Sequence, residues 1–206
     1  MIEAWDDVAV RAGFAEAARA FAGLVRAIPG DAWDGPGLGE WDLRSLVGHT
    51  SRSLITVETY LGRPAEREDL PTPEAYYLAI DSVSAAEVAE RGREAARALG
   101  TDPVGFVDAA VGRVLPLLDR TDDPLVTTIV GGMRLSNYLP TRIFELVVHG
   151  TDIAVAAQQD PPAYSEQLLT QVATLAAAAA VHRGRGVELI RAVTGREPLD
   201  PTFSVV

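Results

Sequence analysis

The stretch RIFELVVHGTD, residues 142–152, decides the fold. Ile143, Phe144, Leu146, Val147 and Val148, followed by Ile153 to Ala157, leave a helix almost no wet side. A helix that is apolar nearly all round is enclosed by protein. Its polar residues nevertheless fall in order: Arg142, Glu145, His149 and Asp152 are spaced three, four and three, which sets them in one row down a single face. The pattern predicts a helix that starts between Ser136 and Thr141 and runs to about Gln158. Pro140 then falls near the first turn, where its missing donor costs least, and Asp160-Pro-Pro162 stops the helix.

Working outward, the chain has 206 residues, 48% of them hydrophobic, which suits one domain with a core of its own. Its alanine, leucine, arginine and glutamate favour helices. The net charge of -11 argues against a nucleic-acid partner and against docking on an anionic membrane surface. Cysteine is absent, so thiol chemistry would need sulfur from outside. The acidic N-terminus lacks the basic and apolar segments of a signal peptide, and the most apolar run, Val172 to Val181, is too short to span a bilayer. A soluble, cytoplasmic protein is expected.

Helical periodicity recurs along the chain. Val10, Phe14, Ala17, Phe21, Leu24 and Ile28 form a stripe over about 7–28, with Asp6 as cap and Trp5 and Val10 spaced as a hydrophobic staple. The glycine-rich stretch 35–39 has no preceding strand and is a connection rather than a phosphate loop. Asp42 caps a second helix that carries Leu43, Leu46, Val47, Leu54, Val57 and Leu61, with His49 at the edge of its stripe. Further helices are expected from Pro73, with a break near Ser82-Val83-Ser84, then on to Leu99, and from Pro103 to about Arg120 with a kink or early end at Pro116. Leu125 to Val130, before Gly131-Gly132, suits a short hairpin or an extended connection. Helices over about 166–182 and 187–193 and a coil-like tail complete the chain.

The polar row admits two readings. One is an internal salt-bridge row, Arg142 on Glu145 and Asp152 on His149, because buried charges are usually paired. The other is a metal site, since neutral imidazole and carboxylate are standard ligands for zinc and non-haem iron. Asp152 would then orient a ligand and Arg142 would hold an anionic substrate. A third ligand is needed, from His49 or His182. His49 lies where antiparallel helices of a bundle meet, whereas His182, in a last turn, suits the helix dipole. A serine–histidine–aspartate triad is not supported, as no G-x-S-x-G is present.

Trp41-Asp-Leu-Arg-Ser-Leu-Val-Gly-His49 and Arg142-Ile-Phe-Glu-Leu-Val-Val-His-Gly-Thr-Asp152 resemble the two signatures of the mycothiol-dependent maleylpyruvate isomerase-like, DinB-type metal-binding family. The ending Ala192-Val-Thr-Gly-Arg-Glu-Pro198 resembles the tail of many short actinobacterial members. The resemblance implies an all-α, DinB-like four-helix bundle over residues 1–160, with a short helical C-terminal extension, 161–206, packed on it. It also implies a divalent metal, most often Zn2+ with Ni2+ or Fe2+ as alternatives, on His49, Glu145 and His149. A low-molecular-weight thiol of the mycothiol type would be the cosubstrate of a transferase or isomerase-like reaction on an electrophile, in a monomer or homodimer. Arg142 and, in the tail, Arg196 are candidates to hold thiol or substrate. The full isomerase has a larger second domain where this sequence has only a short stretch after residue 160, so a thiol transferase is expected rather than maleylpyruvate isomerisation. The non-enzymatic alternative is a bundle that binds a metal or small ligand.

Overall fold

The structure, a computed structural model, describes residues 6–81 and 85–205, and for residues 85–89 the backbone alone. The staple partner Trp5 and the break expected at Ser82-Val83-Ser84 lie outside the described residues. Eight helices are described: α1 (Asp7–Ala27), α2 (Leu43–Leu61), α3 (Pro73–Ile80), α4 (Ala85–Ala98), α5 (Pro103–Leu118), α6 (Leu135–Ala156), α7 (Glu166–His182) and α8 (Gly186–Val193). Between α5 and α6 lies a two-stranded antiparallel hairpin, β1 (Leu125–Thr128) and β2 (Gly131–Arg134), in which Thr128 pairs with Gly131 across Ile129 and Val130. The fold is all-α apart from this hairpin.

The bundle is α1, α2, α5 and α6. Helices α1 and α2 each pack on both α5 and α6, so that α1 and α2 stand on one diagonal and α5 and α6 on the other. Phe14 and Phe21 from α1, Leu46 and Leu54 from α2, Val107 and Val114 from α5 and Ile143 and Leu146 from α6 are fully buried between them. Such side chains contribute roughly 1.5–3 kcal/mol each on burial, so the apolar stripes carry the fold. Around the bundle, α4 lies along α2, α3 and α7 pack on α6, and α8 packs on α7. Gly48 permits the α2–α4 contact: a Cβ there would stand 2.6 Å from the backbone nitrogen of Ala96.

The helix starts follow local chemistry where a cap is local. Asp42 accepts from the Ser45 amide at 2.7 Å, and Asp6, Thr72, Asp102 and Ser165 act likewise. Helix α6 departs from the sequence expectation. It starts at Leu135, earlier than the 136–141 window, because the Asp123 carboxylate accepts from the Ser136 amide at 2.8 Å and from its hydroxyl at 3.0 Å. Pro140 therefore lies inside the helix, past its first turn. Helix α5 continues through Pro116 to Leu118. No helix among the described residues is long and apolar enough to cross a membrane.

Candidate metal centre

Helices α2 and α6 bring His49, Glu145 and His149 together. The Glu145 carboxylate points its Oε2 at both imidazoles, 3.3 Å from His149 Nε2 and 3.9 Å from His49 Nε2. The two rings meet edge to face with centroids 5.2 Å apart. Each of the three side chains keeps only 16–18% of its surface exposed, so the cluster is largely sheltered yet reachable.

Each ligand candidate is held by a neighbour. On α6, Asp152 Oδ2 lies 3.0 Å from His149 Nδ1 and orients the ring so that Nε2 faces Glu145. On α3, the fully buried phenol of Tyr77 donates towards Glu145 Oε1 at 3.2 Å and the Thr141 carbonyl at 3.0 Å. It thereby occupies the carboxylate oxygen that does not face the histidines. His49 packs against the Trp41 indole with centroids 4.6 Å apart, and Gly92 of α4 leaves room for that indole.

The electrostatics set a neutral imidazole beside an ion pair. Burial, reinforced by the neighbouring His149 charge, holds His49 down at about 4, so its ring is neutral at physiological pH. Burial also opposes charge on His149, but its hydrogen bonds to Asp152 and Glu145 prevail and raise it to about 9. Burial would raise Glu145, yet the His149 hydrogen bond and the Arg142 charge bring it down to about 2. An ionised carboxylate thus sits between the neutral His49 ring and the His149 imidazolium, and a cation bound there would displace a proton from His149.

The donors fit a divalent cation. Two atoms that each bind one cation at about 2.0–2.2 Å can be no more than about 4.4 Å apart. The two measured separations, 3.3 and 3.9 Å, pass that limit. One donor atom from each of the three residues lies within 4.8 Å of the other two, so a few tenths of an ångström of closure suffices. The Nδ1 of His49 is buried without a protein partner, so that ring retains unspent bonding capacity.

The remaining candidates are placed as follows. Arg142 is 8% exposed and does not pair with Glu145; its Nε donates to Thr141 Oγ1 at 3.0 Å, and its guanidinium lies over the adjoining Tyr76 and Tyr138 rings. Of the two expected salt bridges in the row, only His149 with Asp152 forms. His182 ends α7 and is exposed. Arg196 is exposed in the tail, where it bonds the Thr194 carbonyl, and no contact joins it to the cluster among the described residues. Tyr77 was not foreseen, and nothing in the α3 sequence distinguishes it from Tyr76 beside it.

Comparison with known proteins gives one match. The family described as mycothiol maleylpyruvate isomerase N-terminal domain matches residues 14–154, more than half of the chain and the span that holds all three cluster residues. No curated protein and no solved structure matches.

Proposed function

The chain belongs to the mycothiol maleylpyruvate isomerase N-terminal domain family, and from that premise we propose that it is a metal-dependent transferase for a low-molecular-weight thiol of the mycothiol type. The observation that carries the reading is the convergence of His49 and His149 on one oxygen of Glu145. These three residues would hold a divalent cation, with zinc the best fit to two imidazoles and a carboxylate and Ni2+ or Fe2+ as alternatives. When bound, the cation supplies Lewis acidity that keeps a thiol ionised at neutral pH.

The chain's own residues set the remaining conditions. Three protein donors, rather than four, leave room for an exogenous ligand, as in catalytic rather than structural sites. With no cysteine in the sequence, the nucleophilic sulfur comes from the cosubstrate. Asp152 orients the His149 ring with its Nε2 towards Glu145, where a cation would take the place of the Nε2 proton, and Tyr77 keeps Glu145 turned towards the imidazoles. In the transfer, the thiol loses its proton to solvent and its sulfur forms a carbon–sulfur bond with the electrophile, whose leaving group departs with the electron pair of the broken bond and is protonated by solvent. Arg142, one helical turn from Glu145, holds an anionic group of thiol or substrate, and Arg196 is a weaker candidate for that task.

The test is consumption of a generic electrophile together with mycothiol or a close analogue, with metal present and then stripped. Metal-dependent loss of both reactants supports the transferase. Absence of turnover, together with no thiol-induced change in the spectrum of the cobalt-substituted protein, leaves the bundle as a metal- or ligand-binding module.

A further inference from the structure

One layer away from the cluster, α2 and α6 place two arginines opposite each other. At one level of the helix pair His49 faces Glu145. At another, the Tyr138 hydroxyl donates to Thr56 Oγ1 at 2.7 Å. These two contacts fix an antiparallel register. Between them, Arg52 lies three residues after His49 and four before Thr56, while Arg142 lies three before Glu145 and four after Tyr138. The two guanidinium-bearing positions therefore share one level of the interface.

Neither cation is matched by an acid. Among the described residues, no carboxylate oxygen lies within 4.0 Å of the Arg52 or the Arg142 guanidinium. Arg142 is more than nine-tenths buried, with its single protein hydrogen bond from Nε to Thr141 Oγ1, so its terminal nitrogens are unspent. The adjoining rings of Tyr76 and Tyr138 lie on one side of it, with centroids 5.1 and 5.0 Å from its central carbon. Those faces offset part of the cost of burying the charge, but they cannot accept in-plane hydrogen bonds from the guanidinium. The shortage is local: with 29 acidic residues, the chain pairs Arg11, Arg26, Arg113 and Arg183 with carboxylates. The terminal nitrogens of Arg142 are not sealed from the surface, so a small anion can reach them, and its charge would relieve the repulsion between the two neighbouring cations.

We propose that Arg142 and Arg52 form an oxyanion-binding subsite next to the histidine–glutamate cluster, where the carboxylate or phosphate group of a small molecule bridges the two guanidiniums. Arg142 presents the planar fork that suits a two-oxygen acceptor. Arg52, half-buried on the neighbouring helix, closes the subsite from the other side. Both charges oppose protonation of His49, so their field reaches the cluster. A ligand anchored there would lie within one helical turn of Glu145. The inference deepens the thiol-transferase reading by giving its electrophile an anionic handle, but it does not depend on thiol chemistry.

The experiment is calorimetric titration of the full chain with succinate and, separately, with inorganic phosphate, as purified and after metal stripping. The stripped arm removes direct anion–metal ligation as an explanation. We expect one site per chain for at least one probe, with the stronger probe naming the oxyanion. Arg52→Gln should weaken binding at least tenfold and Arg52→Lys should recover part of it. Arg142→Gln, accepted only if its circular dichroism shows a folded helical protein, should abolish binding. Failure of both probes to bind the folded stripped wild type, or unchanged binding in Arg52→Gln, overturns the proposal. A cobalt-substituted protein that ignores thiols while still binding the probe would reject the transferase reading and leave this one standing.

Discussion

Tyr77 reaches across from α3 to place its hydroxyl 3.2 Å from Glu145 Oε1, so that Oε2 is the oxygen facing both imidazoles. The phenol divides the carboxylate into a held oxygen and a free one. Partners of this kind orient metal ligands, and losing one typically weakens metal affinity about 10- to 100-fold. Tyr77→Phe should do so while the protein stays folded, because the ring keeps its contacts with Tyr76 and Phe144. The stability loss should be about 1 kcal/mol, the worth of one hydrogen bond. Competition with a chromogenic chelator measures the first effect and urea denaturation the second. Unaltered affinity would mean that helix α6 alone orients Glu145.

One divalent metal per chain should be retained by the wild type and lost in His49→Ala and in His149→Ala. Both variants should remain helical, since the fully buried apolar residues of α1, α2, α5 and α6 supply the stability. His182→Ala should retain metal, because that residue is exposed at the end of α7. Metal analysis of protein purified without a histidine tag, with circular dichroism alongside, decides it. Retention by His49→Ala with loss in His182→Ala would reassign the third ligand.

Asp152 should matter through His149. Its carboxylate lies 3.0 Å from Nδ1 and fixes the ring orientation. Asp152→Asn keeps the size but removes the charge, so metal affinity should fall about tenfold, at the lower end for such partners. Stability of the metal-free protein should fall as well, because the imidazolium of that form loses a charge-assisted hydrogen bond. The same chelator competition and denaturation experiments check both, and an affinity equal to wild type would make Asp152 a bystander.

How much of this was legible in the sequence depends on how local each cause is. The caps Asp6 and Asp42 and the apolar stripes act within a turn or two, and the helices they define appear where the periodicity put them. The start of α6 was misjudged because its capping carboxylate, Asp123, lies thirteen residues from Ser136. The spacing of Arg142 and Glu145 suggested an ion pair, but rings from α3 and α6 claim the guanidinium instead. From the residues alone, the third member of the cluster was open between His49 and His182. The pairing of α2 with α6 places His49 beside Glu145, an outcome of tertiary packing that single-helix periodicity does not encode. Tyr77 was invisible for the same reason.

Gly48 offers a last test, one that ties packing to the site. Alanine in a helix interior gains up to about 1 kcal/mol over glycine, so on propensity alone Gly48→Ala would stabilise α2. Packing opposes this. The new Cβ would stand 2.6 Å from the Ala96 nitrogen and 2.7 Å from the Ala95 carbonyl carbon, both backbone atoms that no side-chain rotation can move aside. Overpacking of this kind costs about 1–3 kcal/mol, so the net effect should be destabilising, and α4 should shift away from α2. Because α4 also carries Gly92 against the Trp41 indole that packs on His49, the shift should loosen that imidazole and weaken metal binding as well. Urea denaturation of the metal-free protein should show a lower midpoint, and chelator competition a lower affinity. A raised midpoint would mean that α4 does not press on α2 at this point.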